Sequence, residues 1–378
     1  MTTTRRTKKA DHETGPRVIV VGAGYAGLLA ALRLAPHARV TLVDPSDRFT
    51  ERIRLHELAA ARPDASHPLA DLLRGTGVRH VARRATAIDP AARTVTTDGG
   101  GTLPYDRLVY ALGSRTGAGD GREPEGRVHT AETAEALRQR LRHGSGTLAV
   151  VGGGLTGIEM AAELAETYPD WKVRLLTAGS VATGHSDRGR AHVHKVLTAR
   201  GVRIEEGVAV PDADAVDADA VVWAGSMVPN TDLAAAAGLK LAPATGRVEV
   251  DDALRSVSHP EVLAVGDAAA GHSSQAGELR MGCAAALPTG SQAASAIIAE
   301  QRGQEPKPLK FRYVLQCVSL GRRDALIQFV RPDDSPHDRV LTGRTAAGVK
   351  EQIVRSTLLS LRLARRSPDL FPRITGMG

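Results

Sequence analysis

One pattern written twice predicts an α/β protein with two Rossmann-like domains and a small C-terminal region. Residues 18–34 read VIVVGAGYAGLLAALRL, and residues 148–164 read LAVVGGGLTGIEMAAEL. Each copy is a run of branched apolar residues, a glycine cluster and a helical stretch of small and leucine residues. That is the order of a buried parallel strand, a tight turn and a closely packed helix. Length agrees, because 378 residues exceed the roughly 100 to 200 of one domain and suffice for two or three.

Along the chain, residues 1–15 are polar and basic and lack the apolar core of a signal peptide, so they are expected to form a disordered tail. A strand over 17–21 then meets Gly22, Gly24 and Gly27, spaced G-x-G-x-x-G, with a helix starting near Tyr25. The first glycine permits the turn, the second lets backbone approach a pyrophosphate, and the third lets helix pack on strand. The next strand, RVTLVD, ends in Asp44, 22 residues after Gly22, where a carboxylate receives ribose hydroxyls. Next come the charged loop DPSDRFTERIRLHELAA (44–60), the segment LVYALGS (108–114) with Ala111 and Gly113, and the glycine-rich stretch GSRTGAGDGREPEG (113–126), read as a linker.

The second copy supplies Gly152, Gly154 and Gly157, with Glu159 just inside its helix. Its following strand, KVRLLTAGS, ends at Thr177 and Ala178, so no carboxylate stands there to reject a 2′-phosphate. Arg188, Arg190 and His185 are candidates to meet such a phosphate, and a solvated helix start is the plainer reading; the choice between NADH and NADPH stays open. VVWAGSMVPN (221–230), ATGRVEV (244–250) and VLAVGDAA (262–269), with Gly266 and Asp267, follow. FRYVLQCVSL and DALIQFV then read as strands.

Composition narrows the field. Cys283 and Cys317 are the only cysteines, too far apart in sequence for a C-x-x-C or metal-ligand pattern, which argues against a disulfide framework, a redox dithiol and a metal site and favours a reduced, cytoplasmic setting. The net charge of +7 goes with only 3% aromatic residues, too few for base-stacking platforms, so nucleic acid is not an expected partner. No apolar run reaches the ~20 residues of a membrane span.

Five motifs, VGAGYAG with Asp44, LVYALGS, VGGGLTGIE, VVWAGSMVPN and VLAVGDAA, stand in the order found in the two-dinucleotide-binding-domain flavoproteins, and residues 16–305 resemble that pyridine nucleotide oxidoreductase superfamily. The resemblance implies a glutathione-reductase-like fold. An FAD-binding domain would span 16–115 and 245–305, an NAD(P)H-binding domain 116–244 would be inserted, and 306–378 would form a C-terminal or interface region. It implies FAD held permanently at the first glycine loop, with Asp267 on its ribityl and phosphate portion, and NADH or NADPH bound transiently at the second. A hydride would reach flavin N5 and leave from the same ring to an acceptor. Glu159 would lie near the nicotinamide, helix capping being its alternative.

Within the superfamily, the cysteine pairs of disulfide reductases are absent, as is the proline-rich segment of oxygenase ferredoxin reductases. The 44–60 loop instead resembles that of type II NADH dehydrogenases and apoptosis-inducing-factor-like oxidoreductases, where it overlies the flavin. Arg52, Arg54 and His56 thereby become candidates to line an acceptor site, a charged helix start facing water being the alternative. One departure is that, with Gly290, Ala293 and Ala294 setting the alignment, Ala284 and Pro288 replace the two glutamines of the dehydrogenases' quinone-contact motif. The expected function is an FAD-dependent NAD(P)H oxidoreductase serving a quinone-like or other small electron acceptor. A ferredoxin-type carrier reductase and a redox-sensing flavoprotein with little turnover are the alternatives. In KEQIVRSTLLSLRLARRS (350–367), Ile353, Val354, Thr357, Leu358 and Leu361 share a helical face largely free of Arg355, Arg362 and Arg366. Packing on the body, on a second copy in a homodimer, or peripherally on a membrane are all open to such a helix.

Overall fold

The computed structural model describes residues 15–63, 65–117 and 126–370. The expected N-terminal tail, Gly15 apart, and most of the 113–126 linker lie outside them.

The first unit opens with β1 (Arg17–Val21), α1 (Tyr25–Leu34) and β2 (Arg39–Val43), continues through α2 (Leu55–Ala59), and adds β3 (Arg79–Val81) and β4 (Arg107–Tyr110). The second holds β5 (Val128–His129), β6 (Gly146–Val151), α3 (Leu155–Thr167), β7 (Trp171–Thr177), α4 (Asp187–Ala199), β8 (Arg203–Glu206) and β9 (Ala220–Trp223). The chain then returns to the first unit with β10 (Val262–Ala264) and α5 (Cys283–Gln301) before β11 (Leu315–Ser319), β12 (Ala325–Val330), β13 (Pro336–Thr342) and α6 (Gly343–Arg366).

Two parallel five-stranded sheets result, in the orders β10-β4-β1-β2-β3 and β5-β9-β6-β7-β8. Their inner strands are largely apolar because both faces are covered, one by helices and the other by Ile88, Val95 and Tyr105 in the first sheet and by the loop around Val216 in the second. Every residue of α1 is buried, which explains its lack of a polar face. It lies against α5, where Gly290 meets the backbone of Ala26 so closely that a Cβ there would overlap it. Small residues set this helix spacing, and Gly290→Ala alone would force the pair apart.

The segments FRYVLQCVSL and DALIQFV contribute two strands of the antiparallel sheet β11-β12-β13, whose first strand packs on α3. Helix α6 buries Ala346, Lys350, Val354, Leu358, Leu361 and Ala364 and packs on α1 and β12. Its expected apolar face therefore closes on the body of the protein. No described helix is long and apolar enough to cross a membrane, and no cluster that could hold a metal occurs among the described residues.

Candidate functional site

Both glycine loops are built the same way. Gly22 and Gly152 adopt φ of +104° and +125°, a region that costs glycine little and other residues much. A Cβ on Gly27 would collide with the Gly22 carbonyl oxygen, and one on Gly157 with that of Gly152. The middle glycines differ, for a Cβ on Gly24 or Gly154 would meet nothing within 4 Å. Open space lies in front of these two N-caps, neither of which has a side-chain cap. Unbonded helix N–H groups facing open space suit a pyrophosphate.

Around the first loop, Asp44 accepts the Ala23 N–H at 2.7 Å and the Ser46 N–H at 2.9 Å, which fixes its carboxylate beside the loop. Ala111 donates its N–H to Val21 at 2.9 Å. Gly113 (φ +62°) accepts the Asn230 N–H at 2.9 Å, and Ser114–Thr116 pairs with Met227–Pro229, so the two crossover segments are bonded to each other. Gly266 (φ +64°) turns the chain so that Asp267 accepts the Ser114 hydroxyl and the Gly282 N–H, each at 2.7 Å. Gly282 caps α5. The residues present fit two dinucleotides, one at each loop.

The loop after Asp44 is tied down at three points. Arg52 donates to the Ser114 carbonyl and pairs with Glu132 at 2.7 Å. Arg54 is held by Glu57 and by Glu351 of α6, each at 3.0 Å; burial works against its charge, and those carboxylates more than restore it. Buried His56 turns Nδ1 toward Glu159 at 3.6 Å, and its Nε2, 4.0 Å from Glu57, makes no hydrogen bond. Burial, opposed by the Glu159 charge, pulls its pKa down to about 4, so the ring is neutral near pH 7.

Glu159 is the hub of this region. The Lys350 ammonium donates to it at 2.7 Å and the Ser319 N–H at 3.0 Å. Burial disfavours the Glu159 charge, but Lys350 overrides it and holds the carboxyl below its usual range. Burial likewise works against Lys350, and Glu159 raises its pKa. The pair is therefore a buried ammonium–carboxylate, with His56 beside it. Asp267, Glu159 and Lys350 all act electrostatically on Cys283, the first residue of α5, so the network and the Asp267 corner share one region. Cys283 is exposed at the start of α5, with its thiol held above the ordinary range, and burial pushes the Cys317 thiol to about 12. Neither sulfur is a thiolate at neutral pH.

Of the residues singled out from sequence, Glu159 and His56 adjoin, Arg54 is bound to the same helix α6, and Arg52 faces the linker side. His185 meets neither of its sequence readings, a 2′-phosphate contact or a solvated helix start: it is buried, its backbone N–H bonds to Ala182, and Arg280 and Asp334 act on its ring. Lys350 and Ser319 escaped the sequence reading because no motif surrounds them. A lysine in step with Ala346, Val354 and Leu358 on the buried face of an amphipathic helix was the available signal.

The family model of the pyridine nucleotide-disulphide oxidoreductases matches residues 16–290. An NADH dehydrogenase-like protein of Mycobacterium tuberculosis is 32% identical, with 82% of this chain and 87% of that protein covered. The ferredoxin–NAD(+) reductase component of a biphenyl dioxygenase system from Paraburkholderia xenovorans is 29% identical over 88% of this chain and 85% of its own. The sulfide:quinone oxidoreductase of Aquifex aeolicus, 20% identical, superposes with a TM-score of 0.74 over 95% of this chain and 94% of that one.

Proposed function

The chain belongs to the pyridine nucleotide-disulphide oxidoreductase family, is an NAD(P)H oxidoreductase using a flavin, and from that premise we propose that the flavin is FAD and that electrons pass to a quinone-like or other small acceptor that takes up protons. When bound, the flavin supplies two-electron chemistry. The chain's own residues do the rest. Gly24 and Gly154 admit the two pyrophosphates, Asp44 and Asp267 accept hydroxyl hydrogen bonds from the flavin's sugar and ribityl chain, and the 44–60 loop shields the region from water.

The observation that carries the acceptor reading is the buried Lys350–Glu159 pair beside neutral His56. A quinone gains two protons with its two electrons, whereas a ferredoxin cluster gains one electron and none. The Lys350 ammonium, held charged by Glu159, can donate a hydrogen bond to the negative charge that develops on a quinone oxygen, a charge that a ferredoxin cluster does not present. Removing one donor to a developing oxyanion costs about 10²- to 10³-fold. The similarity to a ferredoxin–NAD(+) reductase favours a carrier protein as second reading. Steady-state turnover with soluble quinones, ferricyanide and a [2Fe–2S] ferredoxin tests both. Lys350→Met should depress quinone reduction at least about tenfold and leave ferricyanide reduction near wild type. Efficient turnover with ferredoxin alone would install the carrier reading instead.

A further inference from the structure

We infer that Glu206 supplies, from a neighbouring strand, the ribose-binding carboxylate that the end of β7 lacks, and so selects NADH over NADPH. The inference rests on the reading that the second glycine loop binds NAD(P)H. In an open α/β sheet the ligand lies beyond the carboxyl ends of the strands, and an acid there accepts both ribose hydroxyls while repelling a 2′-phosphate. β7 ends at Thr177, which stands in register with Glu206, the last residue of β8. Glu206 reaches back across that gap. Its Oε1 accepts the Val181 N–H at 2.6 Å, which lays the carboxylate against the loop that leaves β7.

Two further bonds hold the strand exits together, Val208 N–H to the Thr177 carbonyl at 2.9 Å and Gly207 N–H to that of Gly179 at 3.3 Å. They leave Val208 38% exposed beside the exit, an uncovered apolar surface of the kind a flat purine ring covers. The Glu206 side chain is itself 36% exposed, open to a ligand hydroxyl. The cations that would favour a 2′-phosphate are largely engaged elsewhere. His185 is buried, Arg190 pairs with Asp187 at 2.7 Å, Arg203 with Glu205 at 3.1 Å, and His194 holds Glu206 itself at 3.2 Å. Arg188, exposed on the first turn of α4, remains as a cation that would oppose Glu206. The carboxylate, fixed at the strand exit, outweighs it.

The test is calorimetric titration of the flavin-loaded protein with ADP-ribose and with 2′-phospho-ADP-ribose, beside kcat/KM for NADH and NADPH. Wild type should bind ADP-ribose at least about tenfold more tightly. Glu206→Gln keeps an oxygen for the Val181 N–H and should bring the two affinities together, and Glu206→Arg should invert them. A ratio unchanged in both variants overturns the role of Glu206 while leaving the nucleotide site intact. Failure of both ligands to bind or to compete with NADH overturns the inference through its premise, the nucleotide reading of the second loop.

Discussion

Lys350→Met removes one half of a buried ion pair and keeps most of its volume. The Lys350 and Glu159 side chains are 9% and 14% exposed, so solvent screens the pair little. Deleting one partner of such a pair costs about 3 to 5 kcal/mol, chiefly because the other charge is left buried alone. The loss should depend on pH. In wild type Lys350 depresses the Glu159 pKa, so this group's stabilisation is present above its unfolded value and fades as pH falls through the lower folded value. In the variant burial dominates and raises the Glu159 pKa, so stability drops as pH rises from the unfolded toward the folded value, at about 1.4 kcal/mol per unit. The difference between the proteins should therefore be smallest near pH 4 and largest at neutrality. Urea unfolding followed by circular dichroism, at a fixed excess of flavin, measures it. Adding Glu159→Gln to Lys350→Met should recover more than half of the neutral-pH loss, since no charge is then stranded. A loss below about 1 kcal/mol, equal at all pH values, would refute the buried pair.

Three other outcomes follow from the same geometry. The folded pKa of His56 is lowered to about 4, so its contribution is complete above the unfolded value and is lost as pH falls from about 6.5 to 4, with an upper bound of about 3.4 kcal/mol; His56→Gln should flatten that part of the pH–stability curve, and an unchanged slope speaks against a buried neutral ring. Gly24→Ala should leave the melting temperature of the flavin-free protein within about 2 °C of wild type yet weaken flavin retention, whereas Gly27→Ala should lower both; equal behaviour of the two would contradict the open space before Gly24. Cys283→Ser with Cys317→Ser should preserve NAD(P)H-dependent acceptor reduction. A double variant that binds flavin and is reduced normally, yet passes no electrons onward, would put a thiol on the electron path.

The parts of the fold that obey local rules were legible in the sequence. Strand, glycine spacing and helix recur at 18–34 and 148–164 because each loop has to meet the same steric demands, which Gly22, Gly27, Gly152 and Gly157 satisfy. The face of α6 was visible through Val354, Leu358 and Leu361, since helical period alone reveals it. What packs on that face was not, because contact with α1 arises only when distant segments meet. The same holds for the centre of the site. Glu159 and His56 were singled out, but they are separated by about a hundred residues, and Lys350, whose ammonium holds Glu159 charged, lies nearly two hundred further on. Periodicity and spacing carry no information about such encounters, and so Glu206 was passed over too, its position relative to Thr177 being set by strand register.

In the proposed function, a flavin at the first loop takes electrons from a nicotinamide nucleotide at the second and yields them to a proton-accepting small molecule. Anaerobic stopped-flow absorbance of the purified protein, mixed first with NADH or NADPH and then with a soluble quinone, tests it most directly. FAD should be released on extraction, the nucleotide should bleach the oxidised flavin band, and quinone should restore it at a rate that Lys350→Met slows. A reduced protein that quinone fails to reoxidise, or one that returns only with ferredoxin, would contradict it.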